Sequence, residues 1–120
     1  MEKESQIRQI TAIVAQKRPG RFNVFLNGQY AFPVDESVLI KYRLYKGMEV
    51  DQGLLRQISN DDQVAQAHNK MLDYLSHQLR TEHEVEQKLV EIDTPPEFVP
   101  AVMAKLRENR LLDDREYADR

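Results

Sequence analysis

A chain of 120 residues has room for one domain or two small ones, each with a modest core. With 41% hydrophobic and 31% charged residues, a net charge of -3 and a mean hydropathy of -0.65, it is expected to fold in water, and no apolar run approaches the roughly 20 residues that span a bilayer. The absence of cysteine excludes disulfides and thiolate metal sites, and a charged rather than apolar start over Met1–Gln6 predicts a cytoplasmic protein.

The first predicted element is a strand. Ile10, Ala12 and Val14 alternate with Thr11, Ile13 and Ala15, as expected where both faces are partly covered. Arg18-Pro19-Gly20-Arg21 breaks it. Phe22–Leu26 and Gln29–Val34 follow, separated by Asn27-Gly28, a strong hairpin signal because both central residues of a type I′ turn need positive φ. That turn sets Phe25 opposite Tyr30 and Asn23 opposite Phe32 on one face, and leaves Phe22, Val24, Leu26 and Ala31 for the other.

Beyond the hairpin the pattern is helical. Asp35 caps a short helix through Val38, Leu39 and Tyr42, Gly47 ends the connection after it, and a second short helix covers Asp51 to Ile58. A longer helix starts at Asn60 to Asp62, with Val64, Ala67, Met71, Leu75 and Leu79 recurring every three or four residues, and Arg80 closes it. Thr81 and Glu84 form a capping box ahead of a stripe of Val85, Leu89 and Ile92. Thr94 caps a further helix with Pro95 in its first turn and Phe98, Val102 and Leu106 on its apolar side. Pro100 falls inside that run and weakens it or shifts its start. A fourth helix is expected from Asp113 or Asp114, with Glu116 placed for its cap; it has hardly started at Arg120, which predicts a natural chain that goes on. The class is α+β: a small amino-terminal β-hairpin-containing module followed by a helical array.

Several of these residues carry a resemblance. Leu72-Asp73-Tyr74-Leu75, then Arg80-Thr81-Glu82-His83-Glu84-Val85 and Lys88-Leu89, then Leu111-Leu112-Asp113-Asp114-Arg115-Glu116-Tyr117-Ala118, resemble the first repeat of the RecX family of recombination regulators. The resemblance implies tandem three-helix repeats behind a β extension, so that 1–59 forms the basic β module, 60–110 the first three-helix repeat and 111–120 the start of a second. It also implies a protein that binds the filament of the RecA recombinase on DNA and modulates, usually inhibits, its strand exchange and ATP hydrolysis. RecA is then the expected partner and single-stranded DNA a plausible secondary contact.

Charge divides the chain where periodicity does. Ile7 to Val50 holds seven Lys or Arg against three acids, whereas Asp51 to Arg120 holds nine against fifteen. Candidate contacts to a partner or DNA are therefore Lys17, Arg18, Arg21 and Lys46 in the basic half and Arg80, Lys88, Lys105, Arg107 and Arg110 in the helical half. Lys17, Arg18 and Arg21 flank a turn, where charged side chains are expected in solvent. Arg80 also suits the last turn of a helix, where a cation favours the dipole. Phe25, Tyr30 and Phe32 could stack bases, but on a short hairpin such rings are expected in the core of the sheet.

Asp113 and Asp114 read as caps, and His68, His77 and His83 have no metal-ligand spacing, so neither metal nor cofactor is expected. With no Gly-rich phosphate loop, cysteine nucleophile or zinc signature, an enzyme is not expected either, nor a small-molecule ligand or a membrane partner. The alternative is a direct DNA binder of helix-turn-helix type between Glu82 and Arg110, with Lys105, Arg107 and Arg110 toward the groove. Glu82, Glu84, Glu86 and Glu91 on the preceding helix oppose it.

Overall fold

In the computed structural model, which describes residues 7–112, Asn27 and Gly28 take φ values of 50° and 83° and the chain reverses there as the Asn-Gly pair predicts. The turn joins β2 (Arg21–Leu26) to β3 (Gln29–Asp35). With β1 (Arg8–Ala15) and the short β4 (Glu49–Val50) they form an antiparallel sheet in the order β3-β2-β1-β4. Phe25 stands opposite Tyr30 as expected. One step further the register departs from expectation. Phe32 faces Val24, and Asn23 faces Pro33, because Ala31 is left without a partner as a bulge in β3. Thr11 is a second bulge, between the pairs Ile10 with Leu26 and Ala12 with Phe25.

β4 escaped the sequence because two residues carry no period. It is held by long-range hydrogen bonds around Gly47 (φ 99°): Ile10 N donates to Met48 O at 2.8 Å and Gly47 N to Ile10 O at 2.7 Å. Between β3 and β4 lies α1 (Glu36–Lys41), started by Asp35, whose side chain accepts from Ser37 N at 2.9 Å.

The two helices expected at Asp51–Ile58 and from Asn60 onward are one, α2 (Gln52–Leu75), of 24 residues. Asn60-Asp61-Asp62 looks like a cap because such side chains compete for nearby backbone amides. Here distant groups engage both aspartates: Asp61 accepts from Lys41 Nζ and Tyr42 Oη at 2.8 and 2.5 Å, and Asp62 accepts from Asp35 N at 2.7 Å. α2 also stops at Leu75, not Arg80, where Ser76 folds back so that both its N–H and its Oγ donate to Asp73 O. Leu79 therefore lies outside the apolar stripe and is exposed.

α3 (Glu82–Glu91) begins with the predicted capping box in full: Glu84 N donates to Thr81 Oγ1 at 3.2 Å and Thr81 N to Glu84 Oε1 at 3.0 Å. The following helix starts later than Thr94 and Pro95 suggested. Pro95 precedes Pro96 and is therefore driven out of the helical region, to φ -56° and ψ 134°. A 3-10 turn (Pro96–Phe98) leads into α4 (Val99–Glu108), and Pro100 sits in its first turn, where the missing N–H costs nothing. The helix expected from Asp113 or Asp114 lies outside the described residues.

The chain divides into two compact units, Met1–Asp62 and Gln63–Arg120, with the division inside α2. In the first, Ile10, Val24, Leu26, Val34, Val38, Leu44, Val50 and Ile58 are buried. In the second, Val64, Ala67 and Met71 of α2 join Val85 and Leu89 of α3 and Val102, Met103 and Leu106 of α4 in one cluster. All but Met103 belong to the stripes that the spacing predicted, and Leu75, Ile92 and Phe98 of those stripes pack against the cluster partly buried.

Candidate functional site

In the helical unit, three residues of the sequence motif converge. Tyr74 lies in the last turn of α2, Arg80 in the loop just ahead of the Thr81 cap, and Lys88 two turns into α3. The Arg80 guanidinium carbon lies 4.5 Å from the centre of the Tyr74 ring and Lys88 Nζ lies 5.3 Å from it. Each such contact is worth about 0.5–1 kcal/mol when exposed and more when desolvated. Arg80 does not close a helix; the capping box behind it and the ring beside it fix its position. Its Nε is enclosed without a hydrogen-bond partner among the described residues. Lys88 also reaches Glu91 Oε1 at 3.4 Å. The cluster presents two held cations at the junction of α2 and α3, suited to a carboxylate or phosphate on a partner. Tyr74 was not among the predicted contacts, although the motif contained it; nothing in the sequence marks a ring as a seat for two cations.

The other predicted cations divide into exposed and committed. Arg107 forks onto Glu82, with Nε to Oε2 at 2.8 Å and one terminal nitrogen to Oε1 at 2.9 Å, which ties the end of α4 to the start of α3. Lys105 and Arg110 are exposed, Arg110 with φ 55° just past the end of α4.

In the β unit, Lys17 and Arg18 are exposed in the turn between β1 and β2. Arg21, expected in solvent beside them, instead grips Asp62 at 3.0 and 3.3 Å and lies 3.9 Å from Asp35. It starts β2, and its side chain turns toward the two carboxylates rather than away from the sheet. Lys46 is exposed beside Gly47, which bonds to Ile10, so it sits about 20 Å along β1 from Lys17 and Arg18. The four do not form one patch. The aromatic residues also differ from expectation: Tyr30 is 56% exposed, and Phe25 and Phe32 are half-buried. Among the described residues there is no group of three His, Asp or Glu placed to hold a metal ion.

The sheet, the three-helix cluster and the Tyr74 junction correspond to two family models that match this chain. One is described as the regulatory protein RecX N-terminal domain, over residues 8–51, and the other as RecX, first three-helix domain, over residues 67–106. The chain belongs to the RecX family. It is 55% identical over 109 residues to the regulatory protein RecX of Limosilactobacillus reuteri strain DSM 20016, a match taking in 91% of this chain and 41% of that protein. It is 56% identical over 109 residues to RecX of Levilactobacillus brevis, again over 91% of this chain and 41% of the relative. RecX of Lacticaseibacillus paracasei is 43% identical over 112 residues, 93% of this chain and 47% of that one. The chain thus spans less than half the length of these curated relatives. A crystal structure of regulatory protein RecX superimposes with a TM-score of 0.85 at 54% identity, over 92% of this chain and 55% of that chain.

Proposed function

We propose that this chain is part of a cytoplasmic regulator of homologous recombination and the SOS response, without catalysis of its own, that binds the RecA nucleoprotein filament and restrains strand exchange and ATP hydrolysis. The observation that carries this is the joint match of the β module and the first three-helix domain to regulatory RecX proteins. Two sets of cations support it, the exposed Lys17 with Arg18 in the β unit and the half-buried Arg80 with Lys88 in the helical unit, since cations suit the phosphates of a nucleoprotein filament. Residues 111–120 then begin a second repeat, and stacked repeats suit a long helical partner. A helix-turn-helix DNA reader is less well supported, because Arg107 is engaged by Glu82 and leaves Lys105 and Arg110 on α4 and its end.

The test is co-sedimentation with RecA filaments on single-stranded DNA, with and without nucleotide, across a salt series. The wild-type chain is expected to pellet with filaments. The Lys17→Glu/Arg18→Glu double variant should pellet less and with a shallower salt dependence, because fewer counterions are released. Equal pelleting at every salt concentration would remove these two residues from the contact. Tighter binding to bare duplex than to filaments would favour the DNA reader.

A further inference from the structure

Beside the β2–β3 hairpin an open cavity of about 570 Å³ is lined by Arg8, Leu26, Asn27, Gln29, Tyr30 and Phe32, among others, and among the described residues Arg8 is the charged one on its wall. Tyr30, Ala31 and Phe32 all line this cavity, at the bulge that leaves Ala31 between the pairs Phe25 with Tyr30 and Val24 with Phe32. The Tyr30 ring is held edge-on by Phe25, with centres 5.9 Å apart and planes at 80°, while more than half of the residue stays in solvent.

A hairpin tip is ordinarily among the loosest parts of a sheet. This one is pinned to β1. Gln9 N donates to Asn27 Oδ1 at 3.0 Å, Asn27 N to Gln9 O at 2.9 Å, and Gly28 N to Thr11 Oγ1 at 2.9 Å. The Thr11 hydroxyl in turn donates to Phe25 O at 3.3 Å. Bracing of this kind adds nothing to an idle exposed ring, but it lowers the ordering cost of binding to one.

Charge narrows the class of ligand. From Arg8 to Val34 the chain carries four basic residues and no acidic one. Asp62 neutralises Arg21, which leaves Arg8 at one end of β1 and Lys17 with Arg18 past the other, about 25 Å apart. An acidic peptide would satisfy the cations but leave the ring face unused, and a duplex would hide its bases.

We propose that this cleft binds a short run of single-stranded nucleic acid, with Tyr30 stacking on a base, Arg8 on a neighbouring phosphate, and the strand running along β1 toward Lys17 and Arg18. This deepens the proposed function by naming where the chain touches a single strand. It depends on that reading only for its context, since it is tested without RecA.

The experiment is fluorescence anisotropy of the chain with labelled oligothymidylate and with a duplex of equal length, across a salt series. Preference for the single strand is expected. Tyr30→Ala should weaken binding about 5- to 100-fold and Tyr30→Phe should retain it, since the ring does the stacking. Arg8→Gln, at an exposed position, should reduce the salt slope by about 0.7 while circular dichroism stays unchanged. Arg8→Gln carries the test by itself if Tyr30→Ala perturbs the sheet. Equal affinity for duplex, competition by an acidic peptide as strong as by unlabelled oligothymidylate, or an Arg8→Gln protein with the wild-type affinity and slope would each overturn the assignment. Filament binding with no affinity for free single strands overturns the cleft and leaves the filament reading standing. Binding of oligothymidylate lost in Arg8→Gln supports the cleft even where no filament is bound.

Discussion

Arg21 and Asp62, 41 positions apart, meet through two guanidinium nitrogens at 3.0 and 3.3 Å, with side chains only 14% and 8% exposed. Removing Arg21 takes the counter-charge from the Asp62 carboxylate, in a place water barely reaches, and leaves it the hydrogen bond from Asp35 N. Arg21→Ala is therefore expected to lower the stability of the β unit by about 3 kcal/mol or more. Arg18→Ala, three residues away and exposed, should stay within about 0.5 kcal/mol. Urea unfolding of the two variants compares them, and equal midpoints would show that the pair contributes nothing net.

Gly28 sits at φ 83°, and a Cβ added there would meet nothing within 4 Å beyond its chain neighbours. Any cost of substitution is thus conformational rather than steric crowding. Gly28→Val should destabilise by about 1–2 kcal/mol, since a β-branched residue is strained at positive φ. Gly28→Asn should be nearly neutral, because Asn tolerates that region. Thermal melts read both, and a Val variant as stable as the Asn variant would contradict the turn geometry.

Leu89 and Leu106 are fully buried in the helical cluster, whereas Leu79 is 56% exposed. Replacing either of the first two by Ala should cost about 2–5 kcal/mol. Leu79→Ala should cost less than about 0.5 kcal/mol, although all three leucines fall on a helical stripe in the sequence. Denaturant titration separates the two cases.

Asp61 joins a pH-sensitive cluster. Its hydrogen bond raises the pKa of Lys41 above the usual 10.5, helped by direct charge attraction, and its hydrogen bond with burial raises that of Tyr42 above 10.0. Both shifts favour the protonated groups in the fold, so their contribution is complete below these ordinary values and is lost as pH rises through the elevated ones. Stability should therefore fall in alkaline solution above about pH 10. Lys41 is 63% exposed, so solvent screening keeps its ion-pair share near or below about 1 kcal/mol. Asp61→Asn should flatten the alkaline limb of a melting-temperature profile; an unchanged limb would assign the alkaline loss elsewhere.

Local chemistry was readable in the sequence and long-range chemistry was not. Asn27-Gly28, the Asp35 cap and the Thr81–Glu84 box were predictable because each is satisfied within a few residues. The apolar stripes of α2, α3 and α4 were predictable from their period. The break assigned at Asn60–Asp62 was not real, because partners at positions 21, 35, 41 and 42 decide what Asp61 and Asp62 do. The same limit hid the commitment of Arg21, the fork between Arg107 and Glu82, and the seat that Tyr74 provides for Arg80 and Lys88. Single unpaired residues, Thr11 and Ala31, moved the sheet register away from the one the hairpin turn predicts.

The link from β2 to Asp62 also sets a schedule for synthesis. At about 5–20 residues per second, Arg21 leaves the ribosome some 2–8 s before its counter-ion, while a hairpin closes in microseconds. The nascent sheet therefore waits, with only the Asp35 carboxylate at 3.9 Å beside that guanidinium, until the first turns of α2 have been made. A truncation at residue 51, where the match to the N-terminal domain ends, would leave that wait permanent.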